Sequence, residues 1–210
     1  MIDMKKYYYT FLLILTSLFS NIANADSPTQ QLFSQLNALK SMQAQFKQTL
    51  YDANGDPIQH AAGSMALVRP GQFRWQIQGR NAQLIVVDGQ HVWTYDPGLQ
   101  QATEEKMPNS AKTSPAFLLT GSTQAIADDF KITTLKGKYP QTYRLFPKDN
   151  NSLFTWVELG FNNHQLKQMI LQDQLGQQTV IQFSNIKWNG TVDPKAFQFS
   201  PPKGVDVIRQ

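Results

Sequence analysis

Apolar and polar residues alternate along most of the chain, which is the period expected of β-strands that bury one face. The clearest example is 72–78, where Phe73, Trp75 and Ile77 share one side and polar side chains share the other. Turns recur at the short intervals typical of an antiparallel meander, and Asp88-Gly89 is the strongest hairpin signal. Strands are predicted over 43–51, 58–68, 72–78, 82–87, 91–95, 100–105, 130–136, 142–146, 154–161, 166–172 and 178–186.

Helical spacing replaces this alternation in two regions. Ser27 is a suitable N-cap, Pro28 occupies the first helical position, and leucines then recur at helical spacing, which predicts an amphipathic helix over 28–40. Further along the chain, capping residues and short apolar runs predict two more helices, over 115–119 and 122–129. The predicted fold is mainly β (α+β), with one curved antiparallel sheet on which a few helices pack.

The N-terminus has the three regions of a cleaved signal peptide in their usual order. Lys5 and Lys6 are followed by an apolar run over 10–19, which is too short to span a bilayer, and then by Ala23-Asn24-Ala25 as a cleavage pattern. A buried N-terminal helix is the less favoured alternative. We therefore expect a signal peptide over 1–25, one mature domain over 26–210, and a location in the periplasm.

Composition narrows the possible partners. The chain has no cysteine, which excludes disulfides, thiolate metal sites and a lipidated cysteine at the mature start. Stable membrane insertion is not expected, because no later apolar stretch is long enough for a span. Removing the signal peptide changes the formal charge from 19 − 15 to 17 − 14, or +3, without any run of basic residues. That mild surplus does not predict nucleic-acid binding.

Catalytic and metal-binding patterns are not recognisable in the sequence. His60, His91 and His164 lie far apart, without the i,i+4 spacing of paired metal ligands. Asp52-Ala53-Asn54-Gly55-Asp56 opens like a calcium loop, but the glycine and glutamate required later in such a loop are absent. No nucleophile elbow or phosphate-binding loop is present either. The chain is therefore not predicted to be an enzyme, and no cofactor is indicated.

The apolar residues are more informative about function than the catalytic or metal-binding patterns. The predicted strands contain more large apolar residues than a sheet packed on one face needs for its core. The tryptophans at 75, 93 and 156, together with Phe183, Leu84 and Val86, are candidates to face a single concavity. From the pattern alone, a fully packed core is favoured over a ligand cavity, since large apolar residues usually lie in cores.

Several ordered segments resemble the LolA family, the periplasmic carriers of outer-membrane lipoproteins. The segment Gly63 to Trp75, with its Arg-Pro-Gly-Gln-Phe-Arg-Trp ending, is similar to the family signature. Val92-Trp93-Thr94-Tyr95-Asp96-Pro97, Ser114-Pro115-Ala116-Phe117-Leu118-Leu119 and the C-terminal segment 197–205 keep the family's order. The resemblance covers essentially the whole mature chain and is least distinctive over 120–190.

The resemblance implies an unclosed antiparallel β-barrel covered by short helices, with an apolar interior that receives acyl chains. The helical cover would be 28–40 together with 113–129. Arg69 matches an arginine that bonds to the backbone of the cover and holds the empty protein closed, and Phe73 matches an aromatic next to the cavity mouth. The candidate ligand-binding residues are Leu36, Phe73, Trp75, Ile77, Leu84, Val86, Trp93, Phe117, Leu118, Trp156 and Phe183.

The resemblance also implies the partners. The cargo would be acylated lipoproteins, accepted from an inner-membrane lipoprotein-releasing ABC transporter and passed to an outer-membrane lipoprotein receptor, and the carrier is expected to be a monomer. The alternative is a periplasmic enzyme or sensor domain that uses the same barrel pocket for a small hydrophobic ligand. An enzyme would need convergent titratable groups in the pocket, and the sequence shows none.

Overall fold

The computed structural model describes residues 26–106, 115–149 and 151–210, so the predicted signal peptide lies outside the described residues. Twelve strands form one sheet in the order β12-β6-β5-β4-β3-β2-β1-β11-β10-β9-β8-β7. The strands are β1 Ser41–Tyr51, β2 Pro57–Val68, β3 Gln72–Gln78, β4 Gln83–Asp88, β5 His91–Asp96, β6 Gln101–Lys106, β7 Phe130–Leu135, β8 Gln141–Pro147, β9 Phe154–Asn162, β10 Gln165–Asp173, β11 Gln178–Trp188 and β12 Asp206–Arg209. The sheet is unclosed, with β12 and β7 at its edges.

The predicted strands β1 to β11 are confirmed, but β12 was not predicted. β12 runs parallel to β6, whereas all other neighbouring strands of the sheet are antiparallel. The segment has four residues and is largely exposed, so it has no buried apolar face that would produce an alternating pattern.

In the described ranges, three α-helices lie on the concave side of the sheet, α1 Pro28–Ala38, α2 Pro115–Thr120 and α3 Thr123–Asp129. The predicted capping of α1 is present as a full capping box: the Ser27 hydroxyl accepts from the Gln30 amide at 3.2 Å, and the Gln30 side chain accepts from the Ser27 amide at 2.8 Å. At the start of α3 the Ser122 hydroxyl accepts from the Ala125 amide at 3.1 Å.

The helices close the concave side of the sheet. Leu32 and Leu36 of α1, Leu118 of α2 and Ile126 of α3 are all fully buried and share one apolar cluster with the concave face of the strands. α1 packs on β7 and α3, and α2 packs on β2 and β3. We call these three helices the lid. Burial of their apolar stripes is the main force that holds the lid on the sheet.

Part of the convex side is covered as well, by the segment that follows β11. A 3-10 turn at Pro194–Phe197 packs against β3 and β4, and Phe197 is buried there. Phe199 contacts the rings of Trp93 and Tyr95 at centroid distances of 5.4 and 5.5 Å. Strands β3 and β4 are consequently covered on both faces.

Because the strands alternate in direction, the turns collect at two opposite ends of the sheet. The β2–β3 turn with Arg69 lies at one end, which we call the Arg69 end. The β1–β2, β3–β4, β5–β6 and β10–β11 turns lie at the other. This second end includes Leu99, and we call it the Leu99 end.

Candidate functional site

A cavity of about 270 Å³ lies between the concave face of the sheet and the lid. Most of its surface is apolar, and the few polar side chains are uncharged. None of the described residues that line it carries a titratable side chain. The lining residues are Gln48, Phe73, Trp75, Ile77, Gln83, Ile85, Leu119, Phe154, Met169, Leu171, Thr179, Ile181 and Phe183.

Aromatic rings form one side of the cavity. Trp75 stacks on Phe46 with centroids 3.6 Å apart and planes 15° from parallel, and its ring meets the Phe183 ring edge-on at 6.4 Å. Gly63 lies opposite Phe46 on β2, where a Cβ would collide with the Gln76 carbonyl and would lie 2.8 Å from the Phe46 ring. Glycine is therefore required here for close packing, and the stacked rings present a fixed surface rather than a mobile one.

Arg69 connects the sheet to the lid. Its two terminal guanidinium nitrogens donate to the carbonyls of Leu119 and Gly121 at the C-terminal end of α2, each at 2.7 Å. The neighbouring backbone adds two bonds, from the Arg69 amide to the Lys40 carbonyl at 2.8 Å and from the Gly71 amide to the Thr120 carbonyl at 3.2 Å. The β2–β3 turn is therefore hydrogen-bonded both to the end of α2 and to the connection between α1 and β1.

The charge of Arg69 suits this position. Burial lowers the pKa of the Arg69 guanidinium, but arginine starts so high that the group stays charged at neutral pH. The carbonyls at a helix C-terminus lack partners within the helix and carry partial negative charge. Two charge-assisted hydrogen bonds therefore form in a partly buried place, where they are stronger than on an open surface.

Seven of the predicted ligand-binding residues face the lid side or belong to the lid. Phe73, Trp75, Ile77 and Phe183 line the cavity, whereas Leu36 and Leu118 are buried in the lid and do not line it. The side chain of Phe117 lies outside the described residues. Phe73 is 4% exposed and lies on β3 near the Arg69 end, where α2 packs.

The prediction is wrong for Leu84, Val86 and Trp93, which lie on the convex face. Phe73 pairs with Val87 and Trp75 pairs with Ile85, so in β4 the alternate residues 85 and 87 point toward the cavity. Val86 pairs with Trp93, and the Trp93 ring packs on Phe199 of the C-terminal segment. The covered convex face explains why apolar residues occur there.

The prediction is also wrong for Trp156. Its neighbour Val157 is fully buried in the core, so Trp156 must point to the opposite side of β9. There its ring stacks under the Arg144 guanidinium at 4.1 Å, and Arg144 bonds to Glu158 at 2.9 Å. The tryptophan has a structural role on the convex face.

Sequence reasoning missed several lining residues. Leu119 was overlooked beside Leu118, and Ile85 was overlooked between two chosen neighbours. Met169 and Leu171 of β10 follow the strand period and were placed in a predicted strand, but nothing in the sequence alone assigned that strand to a cavity. The pairing of β4 with Phe73 and Trp75 is the signal that would have identified Ile85.

The described residues contain no group of three histidine, cysteine, aspartate or glutamate side chains that could hold a metal ion. Across the described part of the chain, no helix is both long enough and apolar enough to cross a membrane. An unclosed sheet, an apolar cavity and a hydrogen-bonded lid together define the class of half-barrels with a covered apolar interior. Comparison with known proteins narrows that class.

Residues 37–200 match the family model of LolA, described as an outer membrane lipoprotein carrier protein. An outer-membrane lipoprotein carrier protein of Methylococcus capsulatus is 38% identical over 205 residues, covering 95% of this chain and 97% of that protein. The protein of the same name from Pseudomonas paraeruginosa is 37% identical over 193 residues, covering 91% and 93%. The chain belongs to the LolA family, which is a family of carriers and not of enzymes.

Solved structures agree on the fold. A LolA superfamily protein from Nitrosomonas europaea matches with a TM-score of 0.50 at 13% identity, covering 83% of this chain and 99% of that one. An uncharacterised conserved protein from Thermus thermophilus matches with a TM-score of 0.52 at 12% identity, covering 86% and 98%. The predicted fold class is confirmed.

Proposed function

We propose that this protein binds the acyl chains of lipoproteins in the cavity and carries them through the periplasm as a monomer. It accepts them from an inner-membrane lipoprotein-releasing ABC transporter and passes them to an outer-membrane receptor. In this proposal the signal peptide 1–25 is removed on export, and 26–210 is the carrier domain. The observation that carries the proposal is the apolar cavity beneath a lid to which the Arg69 side chain donates two hydrogen bonds.

A carrier of this kind answers a physical need. Each buried methylene of an acyl chain contributes about 0.8 kcal/mol, so a lipid anchor with more than one chain does not cross an aqueous compartment unaided. An interior of uncharged, mostly apolar side chains replaces the membrane as a solvent for those chains.

The closed cavity is small for such a cargo. At about 270 Å³ its volume is slightly below that of typical small-molecule sites, which span roughly 300–1,000 Å³. We therefore propose that the lid moves outward when acyl chains enter, and that the bonds of Arg69 are broken in the process.

The free-energy cost of breaking those bonds lowers the affinity of the protein for its cargo. Hydrogen bonds to a charged group are worth roughly 1.5–3 kcal/mol each, which corresponds to one to two decades in affinity. Opening the lid costs free energy, and this free energy is recovered when the cargo leaves and the lid closes. Stabilisation of the closed, empty protein therefore promotes release of the cargo to the receptor without ATP.

Arg69→Leu tests this function. We expect the variant to take up a triacylated lipoprotein at least as well as the wild type and to pass it to the receptor at least tenfold more slowly. Binding is measured by the amount of lipoprotein kept in solution after detergent is diluted away, and transfer is measured on receptor-containing membranes. Hydrogen exchange of α2 amides is expected to become faster.

Arg74→Leu is the matched control. Arg74 also donates to a backbone carbonyl, that of Ala196 at 3.2 Å, but on the convex side. It is expected to leave transfer and α2 exchange unchanged. Normal transfer by Arg69→Leu with unchanged α2 exchange would exclude the latch, and failure of the wild type to keep any lipoprotein soluble would exclude the carrier function.

A further inference from the structure

Amide side chains interrupt the apolar face of the cavity toward the Leu99 end, beside apolar residues such as Leu50 and Ile77. In β1, Phe46 is followed on the same face by Gln48, and in β4, Ile85 is preceded on that face by Gln83. In β2 the corresponding position near this end is Gln59. Asn81 lies in the turn just before β4. We call Gln48, Gln59, Asn81 and Gln83 the amide collar.

The collar joins two hollows. Gln83 and Ile77 line both the apolar cavity and a second, open hollow of about 410 Å³ at the Leu99 end. Gln59 and Asn81 also line this hollow, together with two charged residues, Arg80 and Asp96. A molecule that occupied the cavity would therefore pass the collar where it leaves the protein.

The collar side chains have free hydrogen-bonding capacity. Among the described residues, none of the four amides is engaged in a side-chain hydrogen bond within the chain, whereas other inward or turn amides such as Gln35 and Asn189 have partners. Each amide offers both donors and an acceptor and carries no charge. Such groups match a ligand segment rich in neutral carbonyl and N–H groups.

We propose that the amide collar binds the ester and amide groups that join acyl chains to the polypeptide of an acylated cysteine. Acyl chains then extend toward Trp75 and Phe73, and the polypeptide leaves at the Leu99 end. This proposal rests on the proposed carrier function and adds a polar subsite and a direction to it.

Exposed apolar side chains mark the same end as the place of exit. Leu99 is 71% exposed and Leu175 is 78% exposed, and both lie in turns at the Leu99 end. The Asp96 carboxylate accepts from the Leu99 amide at 3.0 Å, and the Asp173 carboxylate accepts from the Leu175 amide at 2.8 Å, so both turns are held in place.

The test uses the double variant Gln48→Leu/Gln83→Leu in the full mature chain. Its control is Gln78→Leu/Gln182→Leu, two exposed glutamines on the opposite face of the same sheet. Affinity is measured for three probes: a neutral triacylated cysteine lipopeptide, a bulky apolar dye without a polar head, and phosphatidylglycerol. Circular dichroism and urea unfolding confirm that both variants are folded.

Loss of two neutral hydrogen bonds is expected to weaken lipopeptide binding by about tenfold in the collar variant. Dye affinity is expected to stay within about twofold of the wild type, and the control is expected to bind all three probes normally.

Equal losses of affinity for lipopeptide and dye, or no loss of affinity for lipopeptide, would overturn the collar while leaving the carrier function intact. A loss confined to phosphatidylglycerol would assign the collar to a phosphate headgroup instead. Failure of the wild type to bind lipopeptide or dye would overturn the carrier function itself.

Discussion

Phe73 lines the cavity on β3, the strand on which α2 packs. Its ring is 4% exposed and lies 6.1 Å from the Trp75 ring. Phe73→Glu places a carboxylate in this apolar site, where a charge without a partner is strongly unfavourable. We expect the affinity for a neutral lipopeptide to fall at least tenfold at pH 7.5, as measured by fluorescence displacement.

The pH dependence of that variant identifies the cause. Desolvation raises the pKa of a buried carboxyl, so the introduced glutamate becomes neutral as the pH falls, and binding is expected to recover in part at pH 5. Phe73→Leu is the matched apolar control and is expected to lose less than about threefold at either pH. If Phe73→Glu does not fold, Ile77→Glu repeats the test at a less buried position. Normal binding by the glutamate variant at pH 7.5 would remove Phe73 from the site.

Leu84 and Val86, which were assigned to the wrong face of the sheet, show when apolar–polar alternation identifies the inward residues of a strand and when it does not. Residues 84–87 are all apolar, so β4 has no alternating pattern, and its inward residues are known only from its pairing with β3. The reason is physical, because the C-terminal segment buries the outer face. Phe73, Trp75 and Ile77 alternate with polar residues whose face is less deeply covered, and there the predicted orientation is correct.

At the scale of elements, the connection between α1 and β1 depends on Asn189, which follows β11. Its side chain accepts from the Lys40 amide at 2.7 Å and donates to the Ala38 carbonyl at 2.8 Å, and its backbone has a φ of 54°. Asn189→Ala removes these two bonds and a third from the Ser41 amide at 3.2 Å, and it puts alanine in the left-handed region. We expect the free energy of unfolding in urea to fall by about 1–3 kcal/mol, and the α1 amides to exchange faster.

Asn185→Ala separates the two causes. Asn185 has a similar φ of 50°, but its side chain donates to the exposed side chain of Gln45 and not to the lid connection. This control is expected to show only the smaller cost of the backbone conformation, without faster exchange in α1. Equal effects of the two substitutions on α1 would show that Asn189 does not anchor the helix.

The order of elements could be predicted because each one carries its own local signals. The capping of α1, the Asp88-Gly89 hairpin and the alternation in β3 all act within a few residues of sequence. The position of the Asn189 side chain could not be predicted, since it bonds to residues about 150 positions away in the sequence. The same limit applies to the two carbonyls that accept from Arg69, which were expected only from the resemblance.

At the scale of the molecule, an open sheet and a separate lid allow the interior to change volume without breaking strand pairing. The lid meets the β9–β10 hairpin through Gln35 of α1, whose side-chain oxygen lies 2.9 Å from Nδ1 of His164. In the proposed opening of the lid, we expect this contact to separate. A short bis-maleimide linker across Gln35→Cys and His164→Cys, in a chain without other cysteines, fixes the lid in its closed position.

We expect the linked protein to bind a triacylated lipopeptide at least tenfold more weakly than the same double variant without linker, as measured by displacement of an apolar dye. Thr49→Cys with His60→Cys is the matched control, because the Thr49 hydroxyl and His60 Nδ1 lie 3.2 Å apart across two strands of the sheet and away from the lid. Linking that pair is expected to leave binding unchanged, since strand pairing persists while the lid moves. Equal binding by both linked proteins would mean that acyl chains enter without separation of α1 from the sheet. The extra volume would then have to come from movement of α2, whose C-terminal end accepts the two hydrogen bonds from Arg69.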